Sequence, residues 1–186
     1  MTNLAAQRKF CDNGSAEIDG YQQPQSARGC MMRVRRANHE DIKAFVKQAE
    51  AFFAVSPMSE RAAFDEPKFA KFCDQALESD TFAFWVVDRD GEIVGISGAM
   101  TFPLYFAPTI KIAQELFWWI EPEARGTSAG KQMMFEIEGW AEQVGASHLF
   151  MIALENDRSK TMERVYGRNG FAPIERIFIK EIRHGD

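Results

Sequence analysis

Apolar positions change their period several times along this chain, and each change marks an element. Arg33-Val-Arg-Arg-Ala37 reads as a first strand. Asn38 or His39 then starts a helix, with Asp41 in its first turn, where negative charge is favoured. Ile42, Phe45, Val46, Ala49, Phe52 and Phe53 recur at helical spacing until Ser56-Pro-Met-Ser59 breaks the pattern. A second helical stretch carries Phe64, Phe69, Phe72, Cys73, Ala76 and Leu77. Phe82-Ala-Phe-Trp-Val-Val87 and Ile93-Val-Gly-Ile96 flank Asp88-Arg-Asp-Gly91, and the Asp-Gly pair predicts a hairpin. Leu116-Phe-Trp-Trp-Ile120 is a further strand, followed by small residues and then a helix with Met133, Met134, Ile137, Trp140, Ala141 and Val144 on one side. The nearly continuous apolar run Ser147–Leu154 predicts a strand buried on both faces, which makes His148 a core histidine. A short helix with Met162, Val165 and Tyr166 on one side ends at Arg168-Asn-Gly-Phe171, where Gly170 supplies a left-handed stop.

The chemistry concentrates at Arg125-Gly-Thr-Ser-Ala-Gly130, because it lies between a strand and a helix start. The first four N–H groups of a helix have no internal partners, and the helix dipole adds partial positive charge there, so such a loop suits a phosphate. Arg125 adds a full charge at that end. A nucleotide P-loop is excluded, because only three residues separate Gly126 from Gly130 and Gln132 follows Lys131. The dinucleotide fingerprint is excluded too, since no glycine lies two positions after Gly126. Thr127 suits either a helix N-cap or a phosphate ligand, and Lys131 either decorates the first helical turn or reaches a phosphate.

With Arg125 first, Ser128 fourth and Gly130 last, the loop resembles the Q/R-x-x-G-x-G/A acyl-CoA loop of the GCN5-related N-acetyltransferase (GNAT) family, with Ser in place of the usual fourth-position Gly. Asn156 followed by Tyr166-Gly-Arg-Asn-Gly-Phe171 resembles the family's second element, in the right order. The resemblance spans roughly Met32 to Ile182. It implies an α/β (α+β) fold with a mixed, mainly antiparallel sheet flanked by helices. It also implies a strand at 147–154 that runs parallel to the one ending at Ile120 and splays from it to admit the pantetheine arm.

The implied reaction moves an acetyl group from acetyl-CoA to a primary amine, by direct attack in a ternary complex. An alkylamine with a pKa of about 10 needs a base, the oxyanion needs a donor and the thiolate needs a proton. The resemblance assigns the acid to Tyr166 and the base to Glu115, which shares a side with Phe117 and Trp119 unless a bulge intervenes. It places a bulge N–H near Trp119 or Ile120 against the acetyl carbonyl. Its cofactor contacts are Trp118, Trp119, Ile120, Arg125, Gly126, Thr127, Ser128, Ala129, Gly130, Lys131 and Asn156. The segment from Phe53 to Leu77 and the loop Phe102–Pro108, with Tyr105 and Phe106, are the expected acceptor side. The alternative is a catalytically silent CoA-binding or protein-interaction domain on the same fold.

Composition trims the options. A length of 186 residues suits one domain, here residues 32–186, behind an extension at 1–31 that reads as disordered. A net charge of −5 and a pI near 5.3 argue against non-specific nucleic-acid binding. No apolar run reaches the ~20 residues that span a bilayer. Cys11, Cys30 and Cys73 have no paired spacing, and no metal-ligand pattern is present, so the expectation is a cytoplasmic protein with reduced thiols and no metal. The acceptor is not legible, and a homodimer is compatible with this reading.

Overall fold

Among the described residues, five strands and four α-helices follow one another in the order that the periodicity predicts. The structure, a computed structural model, describes residues 32–156 and 158–182, so the extension at 1–31 lies outside the described residues. Strand β1 (Met32–Arg36) leads through a 3-10 turn into α1 (Ile42–Ala54) and α2 (Glu66–Leu77). The hairpin β2 (Phe82–Arg89) and β3 (Glu92–Leu104) is followed by β4 (Ala107–Ile120), α3 (Ala129–Gln143), β5 (His148–Phe150) and α4 (Ser159–Arg168). The sheet order is β1-β2-β3-β4-β5, antiparallel throughout except that β5 runs parallel to β4.

Local chemistry sets the boundaries. The Asn38 side chain accepts from the Glu40 and Asp41 N–H groups, and the Asp41 carboxylate accepts from the Asn38 N–H, a reciprocal cap that starts the first helical segment. Arg35 donates to both Asp41 oxygens at 2.7 and 2.8 Å, which ties β1 to that helix start. In the β2–β3 hairpin, Asp90 and Gly91 both take positive φ (52° and 92°), the turn whose twist matches the flanking strands.

The alternation of β2 feeds two cores. Ala83, Trp85 and Val87 point toward α3, where Met133, Ile137 and Trp140 meet them. Phe84 and Val86 point toward α1 and α2, into a layer holding Phe45, Ala49, Cys73 and Ala76, with Phe64, Phe69, Phe82, Phe117 and Trp119 at its margin. Rings in that layer pack at centroid distances of 5.1 Å (Phe45–Phe84) and 6.0 Å (Phe84–Phe117). Gly98 makes this possible, because a Cβ there would lie 2.5 Å from Phe117 and 2.9 Å from Phe84.

One expectation fails. The run 147–154 is not a strand buried on both faces. Only His148–Phe150 joins the ladder, His148 is exposed and Ile152 retains 38% of its accessible surface. Among the described strands β5 is, like β1, an edge with one neighbour, and its apolar side is shielded toward α3 by packing of Leu149 and Met151. A continuous apolar run cannot by itself distinguish such an edge from a central strand. No described helix is long and apolar enough to cross a membrane.

Candidate functional site

Strand β4 is longer than its parallel partner. The β4–β5 pairing ends at Gln114↔Phe150, while β4 continues to Ile120. Beyond that point a cleft of about 610 Å³ opens, with β4 on one side, Ile152 and Leu154 on another, and α3, α4 and the end of α1 completing it.

A bulge decides which β4 side chains face it. Ala99 pairs with Glu115 and Gly98 with Phe117, so the register skips Leu116. The extra residue reverses the expected grouping: Phe117 and Trp119 pack on the α1–α2 side, whereas Glu115 follows Ala113 and precedes Trp118 and Ile120 on the α3 side. The bulge thus lies at Leu116, not beside Trp119 or Ile120, and Glu115 does not share a side with Phe117.

Glu115 is 2% exposed, and its carboxyl accepts from the Ile152 N–H at 2.9 Å. Tyr166 is 7% exposed, and its hydroxyl donates to the Ile152 carbonyl at 2.9 Å. The backbone of one residue, Ile152, therefore holds both groups, Glu115 through its N–H and Tyr166 through its carbonyl. Burial pushes the Glu115 pKa up to about 8, against a smaller opposing pull from the Ile152 N–H. Burial also raises the Tyr166 phenol well above its ordinary value, with a further push from the Glu115 charge. At neutral pH both groups hold their protons.

The loop closes the other end. The first helical bond runs from the Gln132 N–H to the Ser128 carbonyl at 2.9 Å, so the amides of residues 129–131 precede it. The Thr127 hydroxyl accepts from the Ala129 N–H at 3.3 Å and donates to the Ala124 carbonyl at 2.8 Å. The residue at the N-cap position is Ser128, yet it is Thr127 that bonds the helix amide. Gly130 and Lys131 keep amides at the open end. Gly126 takes φ +78°, a conformation side chains disfavour. Arg125 folds back, with Nε donating to the Ile120 carbonyl at 2.7 Å and the guanidinium 4.7 Å over the Trp119 ring.

Of the residues singled out in the sequence, Glu115, Trp118, Trp119, Ile120, Arg125, Gly126, Thr127, Gly130, Lys131, Asn156 and Tyr166 all line the cleft. Two of the loop residues do not: Ala129, the first residue of α3, is wholly buried, and the Ser128 hydroxyl accepts from the Gln132 side chain at 2.8 Å. Tyr105 and Phe106 are 71% and 84% exposed at the β3–β4 hairpin tip and lie outside the lining, where Phe52 and Val55 of α1 take the place expected of them. Sequence reading missed the cations Arg158 and Arg168 and the Ile152 peptide. The arginines sit beside the quoted motif residues, whereas a backbone group leaves no sequence signal. With Arg125 and Lys131 they give the cleft four cations against Glu138 and a protonated Glu115, a balance suited to a polyanionic ligand. Among the described residues no cluster of His, Cys, Asp or Glu is arranged to hold a metal.

The chain matches the acetyltransferase (GNAT) family profile over residues 42–171. Solved structures share its fold at low identity. One is the aminoglycoside N-acetyltransferase AAC(6')-Iy in complex with CoA (TM-score 0.67, 16% identity, 84% of this chain and 98% of that one). A second is a predicted acetyltransferase from Clostridium acetobutylicum with acetyl-CoA (0.64, 16%, 81% and 96%). A third is a ribosomal-protein-alanine N-acetyltransferase from Brucella melitensis biovar Abortus (0.62, 12%, 82% and 99%). No curated protein sequence matches. Since the profile covers more than half of its length, the chain belongs to the GNAT family of acetyltransferases.

Proposed function

We propose that this protein is a cytoplasmic N-acetyltransferase that moves the acetyl group of acetyl-CoA to a primary amine. The observation that carries the reading is the pair of buried groups, Glu115 and Tyr166, on the N–H and the carbonyl of Ile152 inside a cleft that also holds the phosphate-type loop. The loop amides, Arg125, Lys131, Arg158 and Arg168 supply donors and charge for the CoA phosphates, and Asn156 caps the turn into α4 by accepting from the Arg158 N–H at 2.9 Å. Trp118, Trp119 and Ile120 wall the channel for the pantetheine arm.

The steps balance on this chain's own groups. Ionised Glu115 takes a proton from the ammonium, the neutral amine attacks the thioester carbon, and backbone N–H groups around the Leu116 bulge polarise the carbonyl oxygen. The C–S bond then breaks, Tyr166 gives its proton to the thiolate, the acylated nitrogen passes its extra proton to the tyrosinate, and Glu115 returns its own to solvent. Because Glu115 holds its proton up to about pH 8, the rate rises with pH toward that value. Neither role involves a cysteine: Cys73 is 1% exposed and burial pushes its thiol up to about 12, which leaves it inert.

The test follows free CoA thiol release from acetyl-CoA across a panel of primary amines between pH 6 and 9. Amine-dependent release that climbs toward pH 8 supports the reading, and none with any amine opposes it. A second reading, CoA binding without transfer, draws on the fact that the Ile152 backbone already engages both Glu115 and Tyr166. Under that reading Tyr166→Phe leaves CoA binding intact and there is no turnover to lose.

A further inference from the structure

Gln48 is a buried amide with no place in the reaction above, yet every polar atom of its side chain is committed. It lies on α1 with 3% exposure. Its Nε2 donates to the Ile93 carbonyl of β3 at 2.8 Å and to the Glu121 carboxylate, just past β4, at 2.7 Å. Its Oε1 accepts from the Trp119 indole N–H at 2.9 Å. The direction of each bond is fixed, because an indole N–H only donates and a carbonyl only accepts. The amide therefore has one orientation, and it holds the Trp119 ring in one orientation too. That ring is the surface on which the Arg125 guanidinium rests, 4.7 Å from its centroid, at the first position of the phosphate-type loop.

The same helix reaches the cleft directly. Phe52 and Val55, one and two turns beyond Gln48, line it together with Trp119 and Arg125. A shift of α1 at Gln48 thus moves the indole and, with it, the arginine.

We propose that Gln48 is a positioning residue: through the Trp119 ring it sets the Arg125 guanidinium, and so couples the α1 wall of the cleft to the loop. The role toward CoA rests on the acetyl-CoA reading; the coupling itself does not.

Two measurements on the full chain test it. The first compares thermal stability of wild type, Gln48→Met, Arg125→Ala and the double variant, without ligand. A merely structural Gln48, acting only through its bonds to Ile93, Glu121 and Trp119, gives losses that add to those of Arg125→Ala. The proposal expects Gln48→Met to cost less in the Arg125→Ala background, with Tm values departing from additivity by about 2 °C or more. Additive losses overturn it. The second titrates CoA by calorimetry. Gln48→Met is expected to weaken binding about two- to five-fold, the loss of one cation–π hold, and to have no further effect once Arg125 is Ala. Unchanged affinity in a folded Gln48→Met protein also overturns the proposal. If wild type itself shows no CoA heat, the acetyl-CoA reading fails and the stability cycle alone decides the coupling. If Gln48→Met does not fold, Trp119→Phe replaces it in the same cycle, since it removes the indole donor and keeps an aromatic ring.

Discussion

The first four strands and the region after β5 are built differently. Strands β2, β3 and β4 run 8, 13 and 14 residues, and both faces are covered by helices. In contrast, β5 has three residues, and Tyr166 is the buried residue of α4, whereas α3 buries six. Beyond α4, Ile177 and Phe178 are 86% exposed. The larger region carries its own core. The smaller one is tied to it across the cleft by the Ile152 N–H bond to Glu115 and braced within itself by the Tyr166 bond to the Ile152 carbonyl, and the side chains making those bonds are the ones assigned to the chemistry. Groups that must later engage substrate here also hold the walls of the site together, and elements with so little buried surface open at low free-energy cost.

Four perturbations break or sharpen this contrast. The largest effect belongs to the first region: Phe45→Ala, in the aromatic layer, is expected to lower stability by about 3–5 kcal/mol in chemical denaturation. A loss no greater than that of a surface substitution breaks the contrast at its strong end. Next comes Tyr166→Phe, expected to cut turnover about 100-fold, a barrier change of about 2.7 kcal/mol. Its stability cost is about 1–2 kcal/mol, for one lost hydrogen bond and a stranded carbonyl. Unchanged turnover removes Tyr166 from the mechanism.

Glu115→Gln sharpens the contrast through pH. The native carboxyl keeps its proton up to about 8, whereas the unfolded chain releases it near 4.5, so between those values the native state binds more protons. The contribution is therefore fully present below about pH 4.5 and is lost as pH rises to about 8. Gln keeps an acceptor for the Ile152 N–H and cannot ionise. Its Tm advantage over wild type should grow steadily across that window, while transfer is lost; a pH-independent difference contradicts the assignment. The smallest effect is expected in the exposed tail, where Phe178→Ser should change stability by less than about 0.5 kcal/mol. A loss of several times that size means the tail packs on the body.

Much of this was legible in the sequence, for reasons that can be assigned. The Asp90-Gly91 turn, the Asn38 cap and the β4–loop–α3 succession are local signals, and each lies where its chemistry predicts. The parallel β4–β5 pair follows from the family resemblance. What escaped is non-local. The Leu116 bulge shifts the phase of β4 and moves Glu115 to the opposite face, which no period-two count reveals. The exposure of His148 depends on which strand lies at the edge, and the Ile152 peptide acts through backbone atoms that any residue supplies. The aromatic pair Tyr105–Phe106 resembled a wall because of its prolines; a hairpin tip satisfies the same local pattern.

The central claim is that the cleft beyond the β4–β5 ladder takes acetyl-CoA on the Arg125–Gly130 loop. Thermal unfolding with and without millimolar acetyl-CoA tests it most directly. Ligand at a hundred times its Kd adds about 2.7 kcal/mol, which raises Tm by roughly 5–11 °C for a chain of this size. The account predicts a rise of that order in wild type that is largely lost in a variant whose loop backbone is altered at Gly126, such as Gly126→Val. No rise in wild type, or an equal rise in Gly126→Val, contradicts it.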